Sequence, residues 1–242
     1  MAERMKAHAV SRLELLDLAA SLRLRVAADR EGEWTAGSPP DILADLAGRI
    51  RSCRLCPLAA TRIKAVPGAG SASAEILFIG EGPGYEEDRQ GEPFVGKAGQ
   101  LLDRIVKAMG LSRDAVFIAN IVKCHPMRDP STPEARGNDR PPTPEEIAAC
   151  RRYVDRQIAA IAPKVIVSLG AVSAKALLGT SEGITRLRGR WAEYRSPDGK
   201  AAPIPLMPTY HPAALLRDET LKAAVWSDMK TVLAFLGRSV PK

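Results

Sequence analysis

GEGPGYEEDRQGEPFVGKAGQLLD, residues 80–103, is the stretch around which the rest of the chain is organised. It follows EILFI, residues 75–79, a short apolar run with the length and residue types of a strand buried in a parallel sheet. A loop that leaves the carboxyl end of such a strand lies where open α/β sheets place their ligand crevices. The two segments together predict an α/β fold with a ligand site at this loop.

The composition of the loop favours a function over a plain surface turn. Its glycines allow the backbone to approach a ligand closely and to line a nest of N–H groups. They are Gly80, Gly82, Gly84, Gly91, Gly96 and Gly99. The acidic residues beside them are unusual for a phosphate cradle and indicate chemistry or hydrogen-bond selection. The alternative is a glycine-rich surface loop with solvated acids, and the restraints from Pro83 and Pro93 weigh against it.

Length and charge set limits on the class of protein. The chain has 242 residues, with 35 Lys and Arg against 28 Asp and Glu, a net charge of +7. This excess favours a polyanionic partner such as nucleic acid. No apolar run reaches membrane length and the N-terminus lacks an apolar signal core, so we expect a soluble cytoplasmic protein that does not bind a membrane.

Residues 1–40 are predicted to form a helical extension and a linker. SRLELLDLAASLRLRV has an apolar helical stripe, and EGEWTAGSPPD, residues 31–41, has the glycine and proline content of a loop. The main domain is expected to span residues 41–242 and to begin with a helix capped by Asp41.

Three further runs read as strands, which predicts a central, mostly parallel four-stranded sheet. They are AVFIAN (115–120), KVIVSLG (164–170) and a run from Ile204 that ends at His211. Since the carboxyl ends of parallel strands share one edge, the glycine loop, Asn120 and His211 should lie together there.

Two polar residues at these strand ends are candidates for the site. The Asn120 amide both donates and accepts, which suits reading the edge of a base; an Asx turn is an equal alternative. His211 could stabilise developing negative charge, although a lone histidine is more often structural. Beyond it, Leu215 and Arg217 could be a wedge and a phosphate contact, or simply the first turn of a core-packed helix.

The four cysteines form a candidate metal centre. Cys53 and Cys56 are a close pair at the end of a predicted helix. Cys124 follows a strand, and Cys150 lies on a helix predicted to be capped by Thr143. The spacing is compatible with zinc or with an iron–sulfur cluster, and less so with free buried thiols.

Taken together, the glycine loop, IANIVKC, the cysteines, KVIVSLG and TYHPAALLR resemble the family 4, iron–sulfur uracil-DNA glycosylases from about Cys53 to Leu236. The resemblance implies a three-layer α/β/α sandwich and a structural [4Fe-4S] cluster on the four cysteines. It also implies hydrolysis of the N-glycosidic bond of deoxyuridine in single- or double-stranded DNA, by a protein expected to be monomeric.

The resemblance also implies roles for individual residues. Glu81 and the backbone around it line the uracil and sugar pocket, and Phe94 stacks on the flipped base. Asn120 reads the Watson–Crick edge, and His211 donates to uracil O2. The remaining implied contacts are Gly80, Gly82, Pro83 and Gly84 in the pocket wall, Glu87 at the place of a thymine methyl with a further part in orienting water, Leu215 in the gap left by the base, and Arg217 at the rim.

Two features leave alternatives open. Gly82 stands where other uracil glycosylases carry an Asp that activates water, so the resemblance assigns no residue to that step. The loop between Cys124 and Cys150 is long, as in relatives that trap uracil DNA covalently, but has no histidine between Met127 and Ala149. We therefore favour turnover over a uracil-DNA-trapping or non-catalytic iron–sulfur DNA-binding protein, and expect Arg128, Arg136 and Arg140 to contact phosphates.

Overall fold

The computed structural model describes residues 36–240, so the predicted N-terminal helix lies outside the described part of the chain. Within this range, nine α-helices surround six strands. The helices are α1 (Pro39–Ser52), α2 (Leu58–Thr61), α3 (Tyr85–Gln90), α4 (Lys97–Ala108), α5 (Pro144–Ile161), α6 (Ala171–Leu178), α7 (Ile184–Leu187), α8 (Pro212–Arg217) and α9 (Leu221–Phe235). The strands are β1 (Ala69–Gly70), β2 (Ile76–Gly80), β3 (Phe117–Asn120), β4 (Val165–Leu169), β5 (Ala192–Tyr194) and β6 (Ile204–Thr209).

The strands form one mixed sheet in the order β1-β3-β2-β4-β6-β5. The four predicted strands pair in parallel at its centre, but the prediction of four strands in total is wrong. Short antiparallel strands, β1 and β5, close the two edges. At two and three residues, these strands are too short to produce an alternating pattern in the sequence.

The central strands are buried on both faces, which explains why they read as continuous apolar runs. Ile76 and Phe78 of β2 pack in one core cluster with residues of α4 and α9. Leu77 and Ile79 point the other way, into a second cluster with residues of α5. Helices therefore cover the sheet on both sides.

The helix boundaries follow the predicted caps in one case and not in the other. At α5, Thr143 Oγ1 accepts from Glu146 N at 3.3 Å and a Glu146 carboxylate oxygen accepts from Thr143 N at 2.8 Å, as predicted. The prediction that Asp41 caps α1 is wrong. Ser38 holds the N-cap position, because Pro39 suits the first helical turn, and Asp41 accepts from Ser38 Oγ instead.

The carboxyl ends of the central strands meet at one edge, as predicted. Gly80 at the end of β2 pairs with Asn120 at the end of β3. His211 follows β6 by two residues and caps α8. None of the helices found between residues 36 and 240 is both long and apolar enough to cross a membrane.

Candidate active site

A cavity of about 670 Å³ opens at this edge of the sheet. Nine of the predicted site residues line it. They are Glu81, Gly82, Pro83, Gly84, Glu87, Phe94, Asn120, His211 and Arg217. Gly80 and Leu215, also predicted for the site, are not among the lining residues.

Gly80 contributes by leaving space rather than by lining the cavity. A Cβ at this position would lie 2.4 Å from Asn120 Oδ1 and 2.6 Å from Phe94 Cζ. Such distances are far below van der Waals contact, so only glycine lets these two side chains meet the end of β2.

Phe94 forms one wall of the cavity from a strained position. Its φ of 54° lies in the left-handed region, which a bulky residue adopts only when its surroundings impose it. Gly99 makes this possible, since a Cβ there would lie 1.8 Å from Phe94 O. The Phe94 ring stands 5.6 Å from the His211 ring, centroid to centroid, at an interplanar angle of 32°.

Glu87 holds the glycine loop in shape. Its Oε1 accepts from the backbone N–H groups of Val95 at 2.9 Å and Gly96 at 2.8 Å, and its Oε2 accepts from Gly84 N–H at 3.1 Å. One carboxylate thus joins both ends of the loop. Both carboxylate oxygens of Glu87 accept hydrogen bonds from backbone N–H groups. This structural role differs from the expected role in orienting water.

The neighbouring acids also have local partners. Asp88 is fully buried and accepts from the N–H groups of Ile63 and Lys64. Glu86 pairs with Arg89 on the surface. Glu81 faces the cavity, where burial, and secondarily the charge of Asp139, raises the pKa of its carboxyl. The acidity of the loop is therefore largely structural.

Asn120 lines the cavity and carries an acceptor that has no partner. Its residue is 2% exposed, and Oδ1 is buried without a hydrogen-bond partner. An Asx turn would engage this oxygen, so that alternative is wrong. The Asn120 carbonyl accepts from the buried Lys123 Nζ at 2.8 Å, which holds the end of β3 in place.

His211 is held as a neutral donor. Its Nδ1 accepts from Ala213 N–H at 3.1 Å, so in the neutral ring the proton is on Nε2. Burial and the nearby charge of Arg217 lower the pKa of His211 to about 4. Near pH 7 the ring therefore carries one N–H and no charge.

Of the two interpretations of Leu215, an exposed wedge or the first turn of a core-packed helix, the structure fits the second. Leu215 is 1% exposed and packs in the core with α4 and α9, because α8 turns that face toward the sheet. The next residue, Leu216, is exposed by 46%. The residue types are the same, and only the rotation of the short helix distinguishes them.

The long loop before α5 supplies the opposite wall of the cavity. Pro126, Glu134, Arg136 and Asp139 line it, none of which was predicted for the pocket itself. The Asn138 side chain braces this loop, accepting from Arg128 N and Asp129 N and donating to the carbonyls of Asp129 and Thr132. The proline-rich sequence of this loop did not predict which of its residues would line the cavity.

Of the three arginines expected at phosphates, Arg140 has another role. It makes a bidentate pair with the buried Glu146 at 2.7 and 2.8 Å and so ties the loop to the start of α5. Arg128 and Arg136 remain exposed on the loop.

The four cysteines form no disulfide bonds; Cys124 and Cys150 are buried, and Cys53 and Cys56 are partly exposed. Burial raises the pKa of Cys124 to about 11 and that of Cys150 to about 12, and neighbouring cysteines add to both shifts. Arg62, which sequence reasoning missed, donates to Cys124 Sγ at 3.0 Å. Between residues 36 and 240, no three His, Cys, Asp or Glu side chains are grouped so that they could hold a metal ion.

The chain is similar to a known family and to several known proteins. The model of the Uracil DNA glycosylase superfamily matches residues 67–230. The chain is 42% identical over 197 residues to the type-4 uracil-DNA glycosylase of Sulfurisphaera tokodaii, covering 79% of this chain and 84% of the relative. For the type-4 uracil-DNA glycosylase of Archaeoglobus fulgidus the identity is 39% over 203 residues, covering 82% and 96%. That of Thermotoga maritima is 38% identical over 199 residues, covering 81% and 95%.

Proposed function

The chain belongs to the uracil DNA glycosylase superfamily, and we propose that it removes uracil from DNA by flipping the base into the cavity and hydrolysing its N-glycosidic bond. The product is an abasic site, the first intermediate of base excision repair. The observation that carries the proposal is that two residues line the same cavity: Asn120, whose buried Oδ1 has no hydrogen-bond partner, and His211, whose ring is neutral near pH 7.

Base selection follows from the hydrogen-bonding groups of Asn120. Uracil offers a donor at N3 and an acceptor at O4, which match the amide oxygen and nitrogen of one asparagine. Cytosine offers an acceptor at N3 and an amino donor at C4, so both contacts would be reversed. Phe94 would stack on the base, and Glu87, held by the backbone, would occupy the place of a thymine methyl.

Bond cleavage requires stabilisation of the leaving uracil. As the C1′–N1 bond breaks, its electron pair passes to the base and negative charge grows on O2. His211 would donate its Nε2–H to that oxygen without carrying a positive charge itself. The carboxylates that face the cavity would favour the positive charge that develops on the sugar.

Contacts with the DNA strand would come from the rim. Arg217 lines the cavity, and Arg128 and Arg136 are exposed on the loop before α5. We assign the gap-filling role to Leu216, since it is exposed on α8 where Leu215 is buried. The exposed position suits insertion into a base stack.

We also propose that Cys53, Cys56, Cys124 and Cys150 hold a [4Fe-4S] cluster. Both zinc and an iron–sulfur cluster accept four thiolates, and the similarity to the type-4 uracil-DNA glycosylases favours the cluster. Arg62 at Cys124 and the buried Lys123 beside it would offset the negative charge of a thiolate-bound cluster. When bound, the cluster would supply a structural link between the end of α1, the segment after β3 and α5.

The cluster has a direct test. Protein purified without oxygen should be brown and contain iron and sulfide. A colourless, zinc-loaded protein with full activity would contradict the assignment.

The three-layer α/β/α description belongs to the same proposal, and helices on both faces of the sheet support it. The monomeric state, the cytoplasmic location and the domain boundary at residue 40 stay predictions.

The activity itself is tested with an oligonucleotide that carries one uracil, followed by alkali to cleave abasic sites. Strand cleavage should occur with uracil and not with thymine or cytosine at the same position. An intact strand, with the cluster present, would refute the glycosylase and leave a non-catalytic DNA-binding protein. A protein–DNA adduct that survives denaturation would indicate trapping, although His125, the histidine at the start of the loop, is fully buried.

A further inference from the structure

Hydrolysis requires a group that accepts a proton from water, and the glycine loop does not provide it at Gly82. A Cβ there would lie 2.8 Å from Val122 Cγ2 and 3.3 Å from Pro126 Cγ, so a carboxylate side chain does not fit without displacing them. Within the loop itself, Glu86 and Glu87 are engaged with Arg89 and with the backbone. Glu81 of the same loop also faces the cavity, where burial and the charge of Asp139 raise the pKa of its carboxyl and so favour the protonated form. The opposite wall of the cavity supplies a further carboxylate.

Asp139 lies on the opposite wall, facing the glycine loop. Its backbone pairs with Met127 in an isolated bridge, and the next residue, Arg140, donates its N–H to Pro126 O at 3.0 Å. The carboxylate oxygen Oδ2 lies 3.9 Å from the position a Cβ would take on Gly84. This oxygen therefore reaches across the cavity toward the loop that is expected to hold the base and sugar.

The other oxygen of Asp139 is held by a buried histidine. Asp139 Oδ1 lies 2.7 Å from His125 Nε2, and His125 is fully buried. A carboxylate only accepts, so Nε2 donates. The Asp139 side chain is 74% exposed, so little else restricts its rotamer, and this bond holds it in the one that places Oδ2 near Gly84 of the cavity lining. On its far side, His125 Nδ1 faces the buried Asp88 Oδ2 at 3.9 Å.

We propose that Asp139 is the catalytic carboxylate that accepts a proton from the attacking water, and that His125 is the positioning residue that orients it. The inference rests on the proposed function. In this step the water oxygen forms a bond to C1′ while the C1′–N1 electron pair leaves with uracil. The water proton passes to Asp139 Oδ2 and then to solvent, and the uracil anion takes up a proton from solvent, so the products are uracil and an abasic deoxyribose.

The charge of Asp139 is also felt by Glu81, whose pKa it helps to raise. Two carboxyl groups thus face the same part of the cavity, where cationic character develops at C1′. The segment from His125 to Asp139 then has a function that its sequence did not predict: it supplies the carboxylate that is absent at Gly82.

The test is single-turnover cleavage of a uracil-containing duplex by Asp139→Asn and Asp139→Ala, with affinity for the substrate measured separately. General-base catalysis contributes roughly 10²- to 10⁴-fold, so the chemical step should slow by about that factor while the dissociation constant stays within about 3-fold. Added formate should partly restore the rate of Asp139→Ala, because a small carboxylate can occupy the vacated place. Asp139 is largely exposed, so its replacement is not expected to prevent folding.

The matched control is Glu134→Gln, which removes one negative charge from the same loop and the same cavity wall. Its rate should not respond to formate. For the positioning role, His125→Gln should slow the chemical step, and the double variant His125→Gln/Asp139→Asn should be no slower than Asp139→Asn alone, since His125 acts through Asp139.

The outcomes separate the inference from the function. A wild-type protein that releases no uracil would refute the proposed function and the inference with it. A wild-type protein that releases uracil, with Asp139→Asn within about 3-fold of its rate or Asp139→Ala insensitive to formate, would overturn the inference alone. Equal losses in Asp139→Asn and Glu134→Gln would also overturn it, because the effect would then be one of charge and not of position.

Discussion

Replacement of Asn120 by alanine should separate activity from stability. In the free protein, Asn120 Oδ1 is buried and has no hydrogen-bond partner. A buried acceptor without a partner costs about 1–3 kcal/mol, so the folded protein tolerates this residue at the expense of stability. Such a cost is understandable if the acceptor is satisfied when a uracil enters the cavity.

The size of the effect follows from two hydrogen bonds. Without the amide, the uracil N3–H and O4 groups would be buried unpaired, at about 1–3 kcal/mol each. The loss of about 2–6 kcal/mol corresponds to a fall in kcat/KM between about 30-fold and 10⁴-fold. The free energy of unfolding should change by less than about 1 kcal/mol, because removal of the unpaired oxygen offsets the lost packing.

The measurements are kcat/KM on a uracil-containing duplex and urea unfolding of the same preparation. The control is Ser168→Ala on the neighbouring strand β4, since Ser168 Oγ is likewise buried without a partner but does not line the cavity. That variant should retain activity and be as stable as the wild type or more so. Wild-type kcat/KM in Asn120→Ala, or a loss of stability above about 3 kcal/mol, would refute the reasoning.

Three further predictions concern the site and its support. His211, with a pKa of about 4 against an ordinary value of 6.5, should stay neutral, so its protonation should not reduce the cleavage rate above about pH 5. As the pH falls, the His211 ring is protonated in the unfolded chain before it is protonated in the folded protein. His211 should therefore cost up to about 3 kcal/mol of stability between about pH 6.5 and pH 4, as measured by urea unfolding against His211→Ala. A rate loss centred near pH 6.5 that is absent from His211→Ala would contradict the low pKa. Glu87→Ala should lower the free energy of unfolding by about 2–4 kcal/mol, since three backbone N–H groups lose their acceptor, and an unchanged urea midpoint would show that water replaces it. Gly99→Ala should displace Phe94 and reduce both stability and activity, whereas Gly48→Ala, where a Cβ meets nothing within 4 Å, should raise stability by about 0.5–1 kcal/mol.

The central sheet and the main elements of the cavity were predictable from local patterns. Strands buried on both faces read as unbroken apolar runs, and parallel strands bring their carboxyl ends to one edge, so the convergence of the glycine loop, Asn120 and His211 followed directly. The capping box at Thr143 is likewise a local pattern. The edge strands β1 and β5 were missed because they are too short to have a period.

Several side-chain roles were not predictable, because they depend on contacts between residues far apart in the chain. The sequence shows that Glu87 lies in an acidic loop, but only the folded loop shows that its carboxylate holds both ends together. Leu215 and Leu216 are adjacent and identical, and the rotation of α8 decides which one reaches solvent. A signal for His125 was available, since it is one of three histidines and lies shortly after a strand end.

The linear pattern of residues 75–103, with the cysteines and the strand ends, was sufficient for the α/β class, the family and the location of the cavity, because these depend on hydrophobic periodicity and on motifs along the chain. The tertiary structure was needed to show that carboxylates from outside the glycine loop also face the cavity, Asp139 among them. Asp139 lies 57 residues beyond Gly82 in the sequence, yet the folded loop brings its carboxylate across from the glycine loop. Long-range packing of this kind leaves no periodic trace, so the water-activating group was missing from the sequence interpretation.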